Sequence, residues 1–235
     1  MINEAIVLAG GLGTRLRSTV PDLPKCMAPV AGKPFLHYVI RHFQNQGVQQ
    51  FIFSLGYMHE VILDYLQNNY DPQHIKFVIE KEPLGTGGAI RLAAEQADEG
   101  HTLIANGDTL FRIDVEKLAA FHYQQKASCT LALKPMKNFD RYGLVELDKE
   151  NDAISSFREK QHYESGLING GVYALDLSHF MKIAWPQKFS FEKDYLEQFY
   201  STGTIFGQVQ DEYFIDIGIP EDYEKATVDF EKMKL

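Results

Sequence analysis

The chain reads as an α/β protein: a mostly parallel central sheet with helices on both faces, plus a smaller β-rich lobe. Three observations predict this. Short apolar runs of strand length alternate with longer stretches that repeat apolar residues at helical spacing, the rhythm of βαβ units. Several of those runs end in glycine- or asparagine-containing turns. After Ala127 the rhythm changes to short strands with few helices, which marks the second lobe.

The elements follow in order. Ala5 to Ala9 is a wholly apolar strand, as expected for one covered on both faces. Pro34 to Gln46 is a helix with Phe35, Leu36, Val39, Ile40 and Phe43 on one side. Strand Phe51 to Leu55, helix Val61 to Leu66, strand Ile75 to Ile79, helix Gly88 to Gln96 and strand Thr102 to Ala105 continue the pattern. The later strands are Thr130 to Leu133, Leu144 to Leu147, Ala153 to Phe157 and Gly171 to Leu175, and a last helix begins near Pro220. Open α/β sheets bind ligands at the carboxyl ends of their strands. The loop at Gly10, the segment Glu80 to Gly88 and Asn106-Gly107-Asp108 all fall at such ends.

Composition narrows the function. With 235 residues, 45% of them hydrophobic, the chain can bury a sizeable core, and no linker or repeat divides it, so residues 1–235 read as one domain. A net charge of -9 argues against nucleic acid or an anionic membrane as the main partner, and no segment approaches the ~18 apolar residues of a membrane span. The first strand starts at once, and two cysteines, Cys26 and Cys129, do not make a disulfide framework, so the cytoplasm is the expected location. The eight histidines show no zinc-ligand spacing. The lone Trp185 and the aromatic stretch Phe189 to Tyr200 suggest packing or a subunit contact, leaving a homo-oligomer open.

The most informative segment is Val7-Leu8-Ala9-Gly10-Gly11-Leu12-Gly13-Thr14-Arg15-Leu16, followed by Pro24-Lys25. A strand empties into glycines, whose missing side chains let backbone N–H groups approach phosphate oxygens, and two cations follow. This is the pattern of a nucleoside triphosphate grip. A dinucleotide fingerprint fails because Leu16 stands where a third small residue is required. A Walker loop fails because Gly32-Lys33 runs into Pro34 and Met27 occupies the position of its first glycine. Two acids lie at strand ends: Asp108 in Asn106-Gly107-Asp108, and Asp216 in Phe214-Ile215-Asp216-Ile217-Gly218. Sharing a magnesium ion with substrate phosphates would let them neutralise charge at the reacting phosphorus; the alternative for each is to cap the next element.

Taken together, the glycine loop, Lys25 and Asp216 resemble the sugar-1-phosphate nucleotidyltransferases, from end to end of the chain. Further blocks carry the resemblance: Ile79-Glu80-Lys81-Glu82-Pro83-Leu84-Gly85-Thr86-Gly87-Gly88, Asn106-Gly107-Asp108-Thr109, Phe139-Asp140-Arg141-Tyr142-Gly143 and Leu167-Ile168-Asn169-Gly170-Gly171. These look closest to the branch that guanylylates a heptose 1-phosphate, with mannose 1-phosphate the nearest alternative. The resemblance implies a Rossmann-like nucleotidyltransferase fold. It also implies a nucleotide-binding part over about residues 1–126, a sugar-binding lobe over about 127–177 and a return to the core over about 178–235. The reaction it implies is attack of a sugar 1-phosphate on the α-phosphorus of GTP, with Mg2+ as cofactor.

By that analogy Leu8, Ala9, Gly10, Gly11, Gly13, Thr14, Arg15, Lys25, Glu80, Pro83, Gly85, Thr86, Gly88, Asn106, Gly107 and Asp108 bind the nucleotide. Arg15, Lys25, Asp108 and Asp216 are catalytic, and Asp108 and Asp216 hold the metal. Lys160 holds the sugar phosphate and Glu159 a sugar hydroxyl, with Tyr142, Gly143, Asn169 and Gly170 completing the pocket; without the resemblance, Glu159 and Lys160 read as a solvated charge pair. Cys26 departs from the pattern, since the family commonly has proline there, and is expected to be a small half-buried residue. Guanine presents adjacent N1–H and N2–H donors, for which a carboxylate is an acceptor-only partner. Either Glu80 or Glu82 could take that role. Two other functions are weighed, a glycosyltransferase using Asn106-Gly107-Asp108 as a loose metal motif and a non-catalytic nucleotide-binding regulator. Arg15 and Lys25 argue against the first, and the presence of both cations and both acids against the second.

Overall fold

Alternation along the first strand sets the two faces of the molecule. In the computed structural model, which describes residues 1–11, 13, 16 and 19–233, strand β1 spans Glu4–Ala9. Ala5, Val7 and Ala9 enter one hydrophobic core and Ile6 enters the other, the period-2 pattern of a strand buried on both sides. A small hairpin, β2 (Pro29–Val30) and β3 (Lys33–Pro34), leads into α1 (Phe35–Asn45). Then come β4 (Gln50–Leu55), α2 (His59–Asn69), β5 (Ile75–Ile79), α3 (Gly85–Ala94), β6 (His101–Asn106), β7 (Thr109–Phe111) and α4 (Val115–Gln124). The second half comprises β8 (Cys129–Phe139), β9 (Leu144–Leu147), β10 (Ile154–Arg158), β11 (Tyr163–Asp176), α5 (Leu177–Phe180), α6 (Glu197–Phe199), β12 (Ile205–Val209), β13 (Phe214–Asp216) and α7 (Pro220–Met233).

Strands β5, β4, β1 and β6 lie side by side and parallel, and β11 joins β6 antiparallel. Beyond it, β11 also pairs with β9 and β8, β9 with β10, and β8 with β12, closing a nine-stranded mixed sheet among the described residues. Side chains from α1, α2, α4 and α7 cover one face, while α3, α5 and the aromatic segment before α6 cover the other. Helices on both faces of the sheet are thus as the sequence pattern requires.

Three of the differences from the sequence reading have identifiable reasons. Helix α3 starts at Gly85 rather than Gly88, because the Phe189 carbonyl accepts from Gly87 N at 3.0 Å and stands in for the missing side-chain cap. Helix α4 lies where no helix is expected, although Val115, Leu118, Ala119 and His122 recur at helical spacing and Asp114 accepts from Lys117 N at 2.9 Å as its N-cap. The strands β8 and β11 are long, 11 and 14 residues, and run from the main sheet into the β-rich region. A register shift between Asn169 and Tyr173, at Gly170 and Gly171, divides β11 into its two pairing halves. The aromatic segment is packing: Trp185 stacks on Phe189 with centroids 4.5 Å apart, and Phe180 meets Tyr195 edge-on.

Candidate active site

Lys25 opens a short 3-10 turn, Lys25–Met27, anchored by the buried Cys26 and Met27. Its ammonium lies 2.7 Å from Asp108 Oδ2 and 3.1 Å from Asp216 Oδ1. The two acids meet because β13 pairs antiparallel with β7, placing Asp216 opposite Thr109, and because Ile217 N donates to the Asp108 carbonyl at 3.2 Å. Burial alone pulls the Lys25 ammonium down, but the carboxylates of Asp108 and then Asp216 outweigh it and hold its pKa above the ordinary lysine value. Gly218 lies against the cluster. A Cβ there would sit 3.0 Å from Asp216 Oδ1 and 3.2 Å from Lys25 Nζ, so the absence of a side chain leaves the pair its room.

A cleft of about 340 Å³ opens beside this cluster. Of the residues expected to bind nucleotide, Leu8, Ala9, Gly10, Gly11, Gly13, Lys25, Glu80, Pro83, Gly85, Thr86, Asn106 and Asp108 line it. Thr14 and Arg15 lie outside the described residues. Gly107 and Gly88 do not line the cleft: the Gly107 N–H is spent on the Leu8 carbonyl at 2.9 Å, and Gly88 faces the Gln187 carbonyl. Cys26 and Ala89 line it without having been anticipated. Cys26 is fully buried rather than half-buried, and that burial, with Asp108 nearby, pushes its thiol up to about 12, which makes it inert. Its place next to Lys25 was the one available signal.

The two candidate base readers separate. Glu80 follows β5 into the cleft; its Oε1 accepts from Ser54 Oγ at 3.2 Å and its Oε2 from Leu84 N at 3.0 Å. Glu82 is exposed and accepts instead from Gln187 Nε2 at 3.1 Å.

Around α3 the glycines serve a different purpose. A Cβ on Gly85 would lie 2.5 Å from the Phe189 carbonyl oxygen, on Gly87 2.2 Å from the Phe189 ring, and on Gly88 2.7 Å from the Gln187 carbonyl oxygen. Thr86 donates its hydroxyl to Glu192 Oε2 at 2.6 Å and accepts from Phe191 N at 2.9 Å. The first turn of α3 is therefore held by the chain around residues 187–192, and its amides at Gly87 and Gly88 both point to the Phe189 carbonyl.

The residues assigned to the sugar are spread over several elements. Tyr142 lines a second, polar cleft of about 500 Å³ together with Arg141, Asp216 and Asp222, and Arg141 forms an ion pair with Asp222. Gly143 begins the turn into β9, where a Cβ would press on the Arg158 carbonyl oxygen at 2.6 Å. Asn169 is committed to the fold, donating to Tyr173 Oη at 2.9 Å and accepting from Gly171 N at 3.0 Å. Gly170 packs on the Phe111 ring, while Gly171, with φ +72°, comes close to the Asn106 amide. Glu159 and Lys160 are exposed on the loop after β10.

A divalent cation would suit the acid pair. Asp108 and Asp216 already converge on one ammonium, so both can reach a single positive centre, and neither is fully exposed. No group of three or more metal-ligating side chains occurs among the described residues, so other oxygen atoms would have to complete the coordination, as magnesium commonly obtains from phosphates and water. No helix among the described residues is long and apolar enough to cross a membrane.

A sequence profile for nucleotidyl transferases matches residues 4–233. The chain is 50% identical over 223 residues to a D-glycero-alpha-D-manno-heptose 1-phosphate guanylyltransferase of Aneurinibacillus thermoaerophilus, covering 95% of this chain and 96% of the relative. A protein of the same name from Campylobacter jejuni is 44% identical over 220 residues, covering 94% and 96%. Among solved structures, HddC from Yersinia pseudotuberculosis superposes with a TM-score of 0.88 at 39% identity, over 97% of this chain and 100% of that one. That protein has also been solved in complex with GMP-PN.

Proposed function

The chain belongs to the nucleotidyl transferase family, and from that premise we propose that it transfers GMP from GTP to D-glycero-α-D-manno-heptose 1-phosphate, giving GDP-heptose and pyrophosphate. The observation that carries a nucleotidyl transfer is the convergence of Lys25, Asp108 and Asp216 at the edge of the glycine-lined cleft. Support for GTP and the heptose comes from the relatives' names and from the Glu80 carboxylate inside the cleft.

In this reaction a phosphate oxygen of the acceptor forms a bond to the α-phosphorus of GTP. The bond from that phosphorus to the bridging oxygen breaks, and pyrophosphate leaves with the electron pair. The attacking phosphate is already anionic, so no side chain has to remove a proton, and positioning and charge stabilisation must supply the acceleration. Lys25 provides a buried point charge for the α-phosphate oxygens. Gly11, with no described atom within 4 Å of a Cβ built there, lets the chain's backbone approach the phosphates. Arg15 is assigned to the departing pyrophosphate, to which its planar fork can donate two hydrogen bonds. Asp108 and Asp216 would hold magnesium, which when bound neutralises charge on the phosphate oxygens. The base is read by Glu80, and the reaction is placed in the cytoplasm, where its nucleotide donor is supplied.

The test is pyrophosphate release, with magnesium, from GTP, ATP, UTP and dTTP, each paired with heptose, mannose and glucose 1-phosphates. Release confined to GTP with the heptose is expected. A higher kcat/KM with mannose 1-phosphate would replace the acceptor, and undiminished release in the presence of excess chelator would remove the metal assignment.

A further inference from the structure

After Gln50, strand β4 reads Phe51-Ile52-Phe53-Ser54-Leu55, and in this stretch Ser54 is the one hydrogen-bonding side chain among four apolar ones. It is fully buried, at a position where an apolar residue would pack without having to satisfy a hydroxyl. That hydroxyl donates to Glu80 Oε1 at 3.2 Å. Leu84 N donates to the other oxygen at 3.0 Å, and the Glu80 N–H is itself fixed on the Leu55 carbonyl at 2.8 Å. Gly10 supplies the room, since a Cβ there would lie 2.6 Å from Glu80 Oε1. The carboxylate is thus held at each oxygen and through its own backbone.

We propose that Ser54 is a positioning residue for base selection, orienting the Glu80 carboxylate within the cleft; the inference rests on Glu80 as the base reader. Each carboxylate oxygen offers about two acceptor sites. With one on each oxygen taken by Ser54 and Leu84 among the described residues, one on each remains, a matched pair for two adjacent N–H donors such as guanine presents. Hypoxanthine offers only one of those donors. Uracil offers one N–H flanked by carbonyl oxygens, which a fixed pair of acceptors repels. A carboxylate free to rotate would lose much of this discrimination, because selectivity by hydrogen bonding depends on groups that cannot find other partners.

The experiment is calorimetric titration of GTP, ITP and UTP, with magnesium and without acceptor, into the parent protein, Ser54→Ala, Ser54→Thr and Glu80→Gln. No acceptor is needed, so the answer is independent of the sugar. Ser54→Ala is expected to lower the GTP-over-ITP and GTP-over-UTP affinity ratios about tenfold, the size of one lost hydrogen bond to a charged group. Ser54→Thr, which keeps the donor, retains the ratios. If Ser54→Ala does not fold, Ser54→Cys, of similar volume and a weak donor, reads the same ratios. Equal weakening of all three nucleotides, with the ratios fixed in the serine variants but lowered in Glu80→Gln, would overturn the role of Ser54 and leave the base reading standing. Ratios unchanged in Glu80→Gln would remove the base reading and the inference with it.

Discussion

Two glycine-rich segments border the same cleft, and they are glycine-rich for different reasons. In the loop after β1, Gly11 faces open space, with no described atom within 4 Å of a Cβ built there. Gly13 adopts a positive φ of 58°, and Gly10 yields to the Glu80 carboxylate. At the start of α3, by contrast, Gly85, Gly87 and Gly88 are all filled from outside by the chain at 187–189. Within the first segment only Gly11 leaves its volume open, since a Cβ on Gly13 would lie 2.9 Å from Lys25 Cβ; Gly10 and Gly13, like all three glycines of the second segment, make room for the protein itself. Glycine content therefore does not identify a phosphate site; what occupies the missing side chain's volume does.

The strongest test of this contrast acts where the first segment meets the chemistry. Lys25→Ala should lower kcat by about two to three orders of magnitude, as for a lost charge-stabilising donor, with circular dichroism unchanged. A loss below tenfold would break the link between the open loop and catalysis. Next in size is Gly87→Ala, whose methyl group must displace the Phe189 ring. It should destabilise the protein by about 1–3 kcal/mol in urea unfolding, the cost of overpacking, with or without nucleotide. Combining it with Phe189→Leu should recover part of that loss. A Gly87→Ala protein of parental stability but weakened GTP binding would show that Gly87 serves the cleft lined by Gly85 and Thr86 rather than the packing on Phe189.

The sequence located the strand ends that border the cleft but not the distant segment that packs on the start of α3. Strand alternation and helical spacing are local, so β1, α1, β4 and β5 were readable to within a residue or two, and the strand-end placement of Gly10, Glu80 and Asp108 followed from them. The encounter of Lys25 with Asp216, 191 residues apart, was accessible through the family resemblance rather than through spacing. Nothing local marks residues 187–192 as the partner of Gly85–Gly88, because that contact is made by backbone carbonyls and a ring from a distant segment. The same holds for Asn169, whose amide is committed to Tyr173 across a bulge. Ser54 was visible as a polar residue in an apolar strand, but its purpose appears only once β5 delivers Glu80 beside it.

Comparing the stability of variants from the two segments requires a pH at which the rest of the molecule is not titrating. Two histidines with large shifts dominate that limit, and burial, then Lys33 and Arg41, moves His37 in the same direction. Burial, aided by the Arg112 guanidinium, pulls His42 down to about 4 from an ordinary 6.5. Burial, then neighbouring His101, does the same to His122, against the weaker pull of Asp176. His122 is hydrogen-bonded to His101 at 3.0 Å and Thr130 at 2.9 Å. Both are neutral in the folded state and protonate more readily when unfolded, so their contribution is present above the ordinary 6.5 and is lost progressively as pH falls through it toward about 4. From pH 7.5 to 6.5 the loss from this pair should stay under about 1 kcal/mol, and its slope should then steepen toward two protons, with His37 adding to it. Urea melts across this range should show that slope, and His122→Gln should remove about one proton of it. A slope unaltered by that substitution would assign the acid sensitivity elsewhere and oblige the glycine variants to be compared over the whole range.

The smallest expected effect on the fold is also the sharpest discriminator. Gly11→Ala adds a methyl group where no described atom lies within 4 Å, and the residue has no positive φ to forbid a side chain. Its stability should stay within about 0.5–1 kcal/mol of the parent and could rise, since alanine has less unfolded-state freedom to lose. Its KM for GTP should nevertheless increase about tenfold, because the methyl group enters the volume through which the backbone approaches phosphate. Stability kept with binding lost at Gly11, set against stability lost at Gly87, is the double dissociation that separates room left for a ligand from room left for a neighbour. If Gly11→Ala binds GTP as the parent does, the open face of the loop has no phosphate against it, and the nucleotide must be sought along the Glu80 side of the cleft alone.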